Sequence, residues 1–146
     1  MGPTTLSAPP NSLVTKVDAK LARALVVEDD PRVARSIARW LRSNDVSVAV
    51  ASRGSDLPAL GSDFDIGIFD IDLPDTNGVE LARECLSKGI VRRAVFFSGS
   101  KDLELRRMAE DLGEFVDKSA GTNGLSERVL SAYRPSSIPA SLRAVG

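Results

Sequence analysis

Apolar positions fall into short runs separated by stretches of helical spacing. The run ALVV at 24–27 ends in Glu28, Asp29 and Asp30 and reads as a buried parallel strand. Pro31 then opens a helix, since proline suits a first turn, and Val33, Ile37, Trp40 and Leu41 recur at helical spacing as its expected buried face. VSVAVAS (46–52) is the second predicted strand. GSDLPALGSD (54–63) has room for only a poor second helix, because Pro58 interrupts it. FDIGIFD (64–70) is a third strand ending at Asp70, and the loop IDLPDTNG leads into the helix GVELARECLSKG, which Gly89 stops. RRAVFFSGS (92–100) is the fourth strand. KDLELRRMAEDLG (101–113) is the fourth helix, closed by Gly113. EFVDK (114–118) is a short fifth strand and LSERVLSAY (125–133) the last helix.

Strand and helix alternate five times, which predicts an α/β fold: a doubly wound, five-stranded parallel sheet with helices on both faces. Residues 24–133 make up the expected domain. Residues 1–23, with Pro3, Pro9 and Pro10 among Ser and Thr, read as a flexible leader that ends in a short helical turn over 17–23. Residues 134–146 read as a flexible tail.

Composition narrows the function. Apolar residues are 42% of the 146 and charged residues 27%, as in ordinary globular domains. A net charge of −1 gives no electrostatic case for direct nucleic-acid binding, and no apolar run is long enough for membrane insertion. A cytoplasmic location is expected: the N-terminus carries no secretory pattern, and the single Cys85 lies in an apolar helical pattern as a small buried hydrophobe. The chain has no histidine. That excludes Ser-His-Asp triads, Cys-His dyads, His-bearing zinc sites and a phosphohistidine role, and leaves acid–base or metal chemistry to carboxylates, lysine and hydroxyls.

In a doubly wound sheet the site lies at the carboxyl ends of the strands. There the sequence offers Glu28, Asp29 and Asp30 after the first strand, and only Ser52 and Arg53 after the second. Asp70, Asp72 and Asp75 follow the third, Ser98, Gly99 and Ser100 the fourth, and Lys118 and Ser119 the fifth. Asp30 reads as a helix cap before Pro31, and Asp75 with Asn77-Gly78 as turn chemistry. The topology brings Glu28, Asp29 and Asp70 together. Such like charges raise one another's pKa unless a cation compensates. Mg²⁺ suits this role, because it takes oxygen ligands and binds through one or two carboxylates plus phosphate oxygens. Asp70 is then a candidate nucleophile for phosphoryl transfer, with Lys118 and the Ser98 hydroxyl placed to bind phosphoryl oxygens.

The segments LVVEDDP, FDIGIFDIDLPDTNG, AVFFSGS and FVDKSAG resemble, in order and spacing, the motifs of response-regulator receiver domains of two-component signalling (CheY-like). The resemblance runs from about residue 24 to 133 and implies a flavodoxin-like (βα)5 three-layer sandwich. It implies that Asp70 is the phosphoacceptor and that Glu28, Asp29 and Asp70 hold Mg²⁺ together with the main-chain carbonyl of Asp72. Ser98 becomes the hydroxyl that moves to the phosphoryl group, Lys118 the family's lysine, and Phe115 the aromatic switch. There are departures. Ser119-Ala120 stands where many receivers have proline, Phe115 lacks a hydroxyl, and the Asp72 side chain adds a negative charge beside the site.

The resemblance further implies a phosphoacceptor signalling domain, not an enzyme beyond self-phosphorylation and self-dephosphorylation. Its donor would be a histidine kinase or a histidine phosphotransfer protein. Its output would be a downstream protein contacted by the face of the fourth helix, fifth strand and last helix; Arg92-Arg93 and Arg106-Arg107 read as solvated charges or as contacts to such a partner. Two other readings stand beside it. One is a receiver-like interaction module that is never phosphorylated. The other is a haloacid-dehalogenase-type phosphohydrolase, in which Asp70 is nucleophile and Asp72 general acid. Against the second, the pattern lacks the Gly-Thr that normally follows the second Asp and lies on the third strand instead of near the N-terminus.

Overall fold

The computed structural model describes residues 21–133. Strands β1 (Arg23–Val27), β2 (Ser47–Ala51), β3 (Ile66–Phe69), β4 (Ala94–Ser98) and β5 (Glu114–Asp117) form one parallel sheet in the order β2-β1-β3-β4-β5. The chain runs outward from β1 to β2, returns to β3 on the other side, and continues to β5, so strand order reverses between β1 and β3. Parallel pairing needs crossovers, supplied by α1 (Pro31–Ser43), the 3₁₀ segment η1 (Gly54–Ala59), α2 (Gly78–Ser87) and α3 (Leu103–Leu112). A single 3₁₀ turn (Lys118–Ala120) then leads into α4 (Gly121–Tyr133). The doubly wound, five-stranded expectation is met.

The central strands are apolar on both faces because helices cover both: β3 (IGIF) and β4 (AVFFS) are buried along their whole length. Leu25, Val27, Phe69, Phe96 and Ala94 join Val79, Ala82, Cys85 and Ala109 in one core layer. Alternate residues Val26, Ile68 and Val95 point to the other face and are equally buried. Residues 22–126 form one compact unit; of the second unit, comprising 1–21 and 127–146, the described residues are Leu21 and the last part of α4.

Several expectations are corrected. The region after β2 forms no α-helix but the six-residue η1, with Pro58 inside it. On α1 the buried residues are Ala34, Ile37, Ala38 and Leu41, while Val33 and Trp40 are only half-buried. Ala34 and Ala38 pack with Ile37 and Leu41 in the buried face of α1, and Val33 and Trp40 lie at its margin. Strand β3 stops at Phe69, so Asp70 is the first residue past it, and α4 begins at Gly121, four residues earlier than its apolar pattern suggests. Of the expected turn at 17–23, Arg23 instead starts β1, Leu21 and Ala22 are irregular, and 17–20 lie outside the described residues, as do the rest of the leader and the tail.

Candidate functional site

The ends of β1, β3, β4 and β5 meet at one edge of the sheet. The β1–β3 ladder carries Val27 opposite Phe69, so the residues that follow each, Glu28 and Asp70, emerge side by side. The Glu28 amide donates to Ala51 O at 2.9 Å and the Asp70 amide to Val27 O at 3.0 Å, which fixes both backbones as the strands end. Pairing of Ser98 with Asp117 in the β4–β5 ladder brings Lys118 to the same edge.

Carboxylate oxygens of Glu28, Asp29 and Asp70 lie within 4.8 Å of one another; Glu28 and Asp70 are buried and Asp29 is exposed. The Lys118 ammonium spans two of them, at 3.0 Å from Glu28 Oε1 and 3.1 Å from Asp70 Oδ2. Burial pushes the Glu28 carboxyl up to about 7, with the Asp70 charge adding to the shift, against the opposing pull of the Asp30 amide and Lys118. For Lys118 burial acts downward, yet the hydrogen bonds and charges of Glu28 and Asp70 outweigh it and the ammonium is held above its ordinary value. The site is a pair of buried carboxylates short of positive charge, spanned by one lysine.

Ser98 is fully buried; its hydroxyl oxygen accepts from the Ile71 amide at 3.4 Å and the Ser100 amide at 3.2 Å. Asp72 is exposed, and its amide faces Asp70 Oδ1 at 3.4 Å. The loop that carries it is closed by Gly78 N donating to Ile71 O at 2.7 Å and by an Asp72–Asn77 bridge. Gly78 is required sterically: a Cβ there would lie 1.8 Å from the Asp70 carbonyl oxygen. Phe115 is half-buried with the Arg106 guanidinium 4.4 Å above its ring, a contact the sequence did not reveal. Asp30 caps α1 as expected, accepting from Arg32 N at 2.9 Å. Asp75 does more than turn the chain, because it reaches across to amides of η1.

The oxygen-only donor set, with two buried acids facing one ammonium, fits a hard divalent cation such as Mg²⁺. Residues 24–130 match the response regulator receiver domain family. This chain belongs to that family. As a receiver it is 30% identical over 121 residues to the transcriptional regulatory protein CutR of Streptomyces coelicolor, covering 80% of this chain and 56% of that one. It is 28% identical to the cell cycle response regulator CtrA of Brucella ovis, covering 78% of this chain and 51% of that one. The receiver thus spans about half the length of the curated relatives it matches. In fold it is similar to a CheY-like receiver domain protein from Methanospirillum hungatei, with a TM-score of 0.69, 24% identity, and coverage of 80% of this chain and 97% of that one. It is also similar to the response regulator TrrA from Thermotoga maritima in complex with Mg²⁺ and BeF, with a TM-score of 0.65, 23% identity, and coverage of 76% and 98%. Among the described residues no helix is long and apolar enough to cross a membrane.

Proposed function

We propose that this receiver takes a phosphoryl group onto Asp70 from a phosphohistidine on a histidine kinase or histidine phosphotransfer protein. Glu28, Asp29 and Asp70 would hold Mg²⁺ together with the main-chain carbonyl of Asp72. The observation that carries this reading is the convergence of three carboxylates with Lys118 at 3.1 Å from Asp70. It is supported by the family match and by a fold-related structure in complex with Mg²⁺ and BeF.

An Asp70 carboxylate oxygen attacks phosphorus, the P–N bond of the donor breaks, and its electron pair returns to the imidazole nitrogen. The product is an acyl phosphate on Asp70. When bound, the ion would offset the carboxylates and the charge on the equatorial phosphoryl oxygens. Lys118, 3.1 Å from the acceptor carboxylate, would pair with an oxygen of a phosphoryl group carried on Asp70. Ser98 Oγ accepts from the Ile71 and Ser100 amides, and its O–H would donate to the same group. That donation would pull on the loop leading into α3 and bias the surface of α3, β5 and the following helix, with Phe115 as the responsive ring, toward a protein partner. The Asp72 carboxylate adds negative charge beside the site and would tune metal affinity or the lifetime of the acyl phosphate.

The test is intact-mass analysis after incubation with acetyl phosphate and Mg²⁺, beside an Asp70→Asn control. A labile, Mg²⁺-dependent adduct absent from the control is expected. No adduct, together with no beryllofluoride binding, would favour an interaction module that works without phosphorylation, and turnover of p-nitrophenyl phosphate would favour a phosphohydrolase.

A further inference from the structure

Asp75 lies outside the site, at the exposed tip of the loop between β3 and α2, yet it makes a two-pronged contact with a distant segment. Its Oδ1 accepts from the Gly54 amide at 2.9 Å and its Oδ2 from the Ser55 amide at 3.0 Å, twenty-one and twenty residues earlier. Gly54 and Ser55 are the first two residues of η1. A 3₁₀ segment leaves its first amides without partners inside the segment, and a carboxylate that receives two of them is held in one orientation.

The two loops joined in this way are those that fix the site. On one side, Ala51 O at the end of β2 receives the Glu28 amide, and three residues later the chain reaches Gly54. On the other, the loop 71–77 runs from Asp70 through Asp72, whose amide faces Asp70 Oδ1, to the Asp72–Asn77 bridge. Within the loop, the closures at Ile71, Leu73 and Gly78 hold its base. The carboxylate at its tip reaches outside the loop. Crowding at this contact is also close: a Cβ on Gly54 would lie 3.2 Å from Thr76 Cγ2.

We infer that Asp75 is a positioning residue: by clasping the amides of Gly54 and Ser55 it ties the Asp72 loop to the segment that anchors Glu28, and so holds the cation-binding carboxylates in register. This inference rests on the proposed Mg²⁺ site, but its structural half does not need the metal. Asp75 touches neither the ion nor a phosphoryl group, and any effect it has passes through the loop backbone.

The first experiment uses the metal-free chain. Amide hydrogen exchange in Asp75→Ala is expected to speed up at Gly54, Ser55, Asp72 and Leu73 by about tenfold or more while the core strands keep their protection. Unchanged exchange at Asp72 and Leu73 overturns the inference whatever the metal does. The second is Mg²⁺ titration by calorimetry. Asp75→Ala is expected to weaken Mg²⁺ by about tenfold, the low end of the range for groups bonded to the ligands because Asp75 acts through the loop backbone, with little change in the metal-free melting temperature. Asp75→Asn, which keeps one acceptor oxygen, should recover part of the loss.

Gly54→Pro removes one donor at a helix-start position that follows extended Arg53, where proline is tolerated, and Gly54→Ala controls for the added Cβ. Gly54→Pro should weaken Mg²⁺ beyond Gly54→Ala, and the part of that loss due to the missing amide should vanish in the Asp75→Ala background. Fully multiplicative losses, or Asp75→Ala within about twofold of the unmodified chain, would refute the clasp's effect on the metal. If the unmodified chain binds no Mg²⁺, the proposed function fails while the exchange result still decides the clasp.

Discussion

The metal-free receiver should be more stable at mildly acidic pH than at pH above neutral, and Glu28 is the reason. Its carboxyl is buried among β1, Asp70 and Lys118, and burial raises it from 4.5 to about 7 in the folded chain. Below about pH 4.5 both folded and unfolded chains carry the proton and the stabilising contribution is complete. Between 4.5 and 7 the unfolded chain releases the proton and the folded chain keeps it, so stability falls as pH rises. Above 7 both have lost it and the curve flattens. At 1.36 kcal/mol per unit, the gap between the two values is worth about 3 kcal/mol. Asp30, Asp75 and Asp117 have carboxyls held below the ordinary 3.8 by backbone hydrogen bonds. Their contributions are lost only as pH falls through still lower values, so they do not intrude on this window.

The assay is urea unfolding in EDTA followed by the single tryptophan, Trp40, from about pH 5 to about pH 8. The unfolding free energy should drop by about 2–3 kcal/mol across that range in the unmodified chain and stay nearly flat in Glu28→Gln. Addition of Mg²⁺ should restore the loss at about pH 8, since a cation binding the ionised carboxylates stabilises the folded chain by mass action. A flat profile in the unmodified chain, or an equal slope in Glu28→Gln, would refute the account.

Other consequences follow from single contacts. Lys118→Ala leaves Glu28 and Asp70 without their shared cation, so it should cost about 3 kcal/mol at about pH 8 in urea unfolding and less at about pH 6, where Glu28 takes up a proton. Equal costs at both pH values would contradict it. Gly78→Ala drives a Cβ to within 1.8 Å of the Asp70 carbonyl and should destabilise by about 3 kcal/mol, whereas Gly99→Ala, with nothing within 4 Å of its Cβ, should stay within about 0.5 kcal/mol. Equal melting temperatures for the two variants would show that the α2 start yields easily. Cys85 is buried and its thiol is pushed up to about 11 by desolvation, so iodoacetamide labelling near neutral pH should be limited by unfolding, and rapid labelling of the native chain would contradict its burial.

The sequence by itself determined the class of fold and which residues form its candidate site. Apolar runs such as ALVV and AVFFS, broken by helical spacing and by Pro31 and Gly89, are local signals, and a five-fold alternation leaves few topologies once crossovers must be right-handed. The acids after the first and third strands and the lysine after the fifth could be chosen as the site because strand ends converge in such a sheet. Their contacts could not be read. Lys118 and Glu28 are ninety residues apart and meet only because the β1–β3 and β4–β5 ladders hold a particular register. The raised Glu28 carboxyl comes from burial, which no residue carries in its identity.

Only the tertiary structure decided that η1 replaces a helix, that the alanines of α1 and not Trp40 face the sheet, and that Arg106 lies over Phe115. The same holds for Asp75. Its neighbours Pro74 and Asn77-Gly78 mark a turn, and a turn is what short-range chemistry predicts. Its reach to Gly54 and Ser55 depends on where two loops from different crossovers end. That is set by the length and register of the strands beneath them, a property of the packed sheet that no local stretch of sequence encodes.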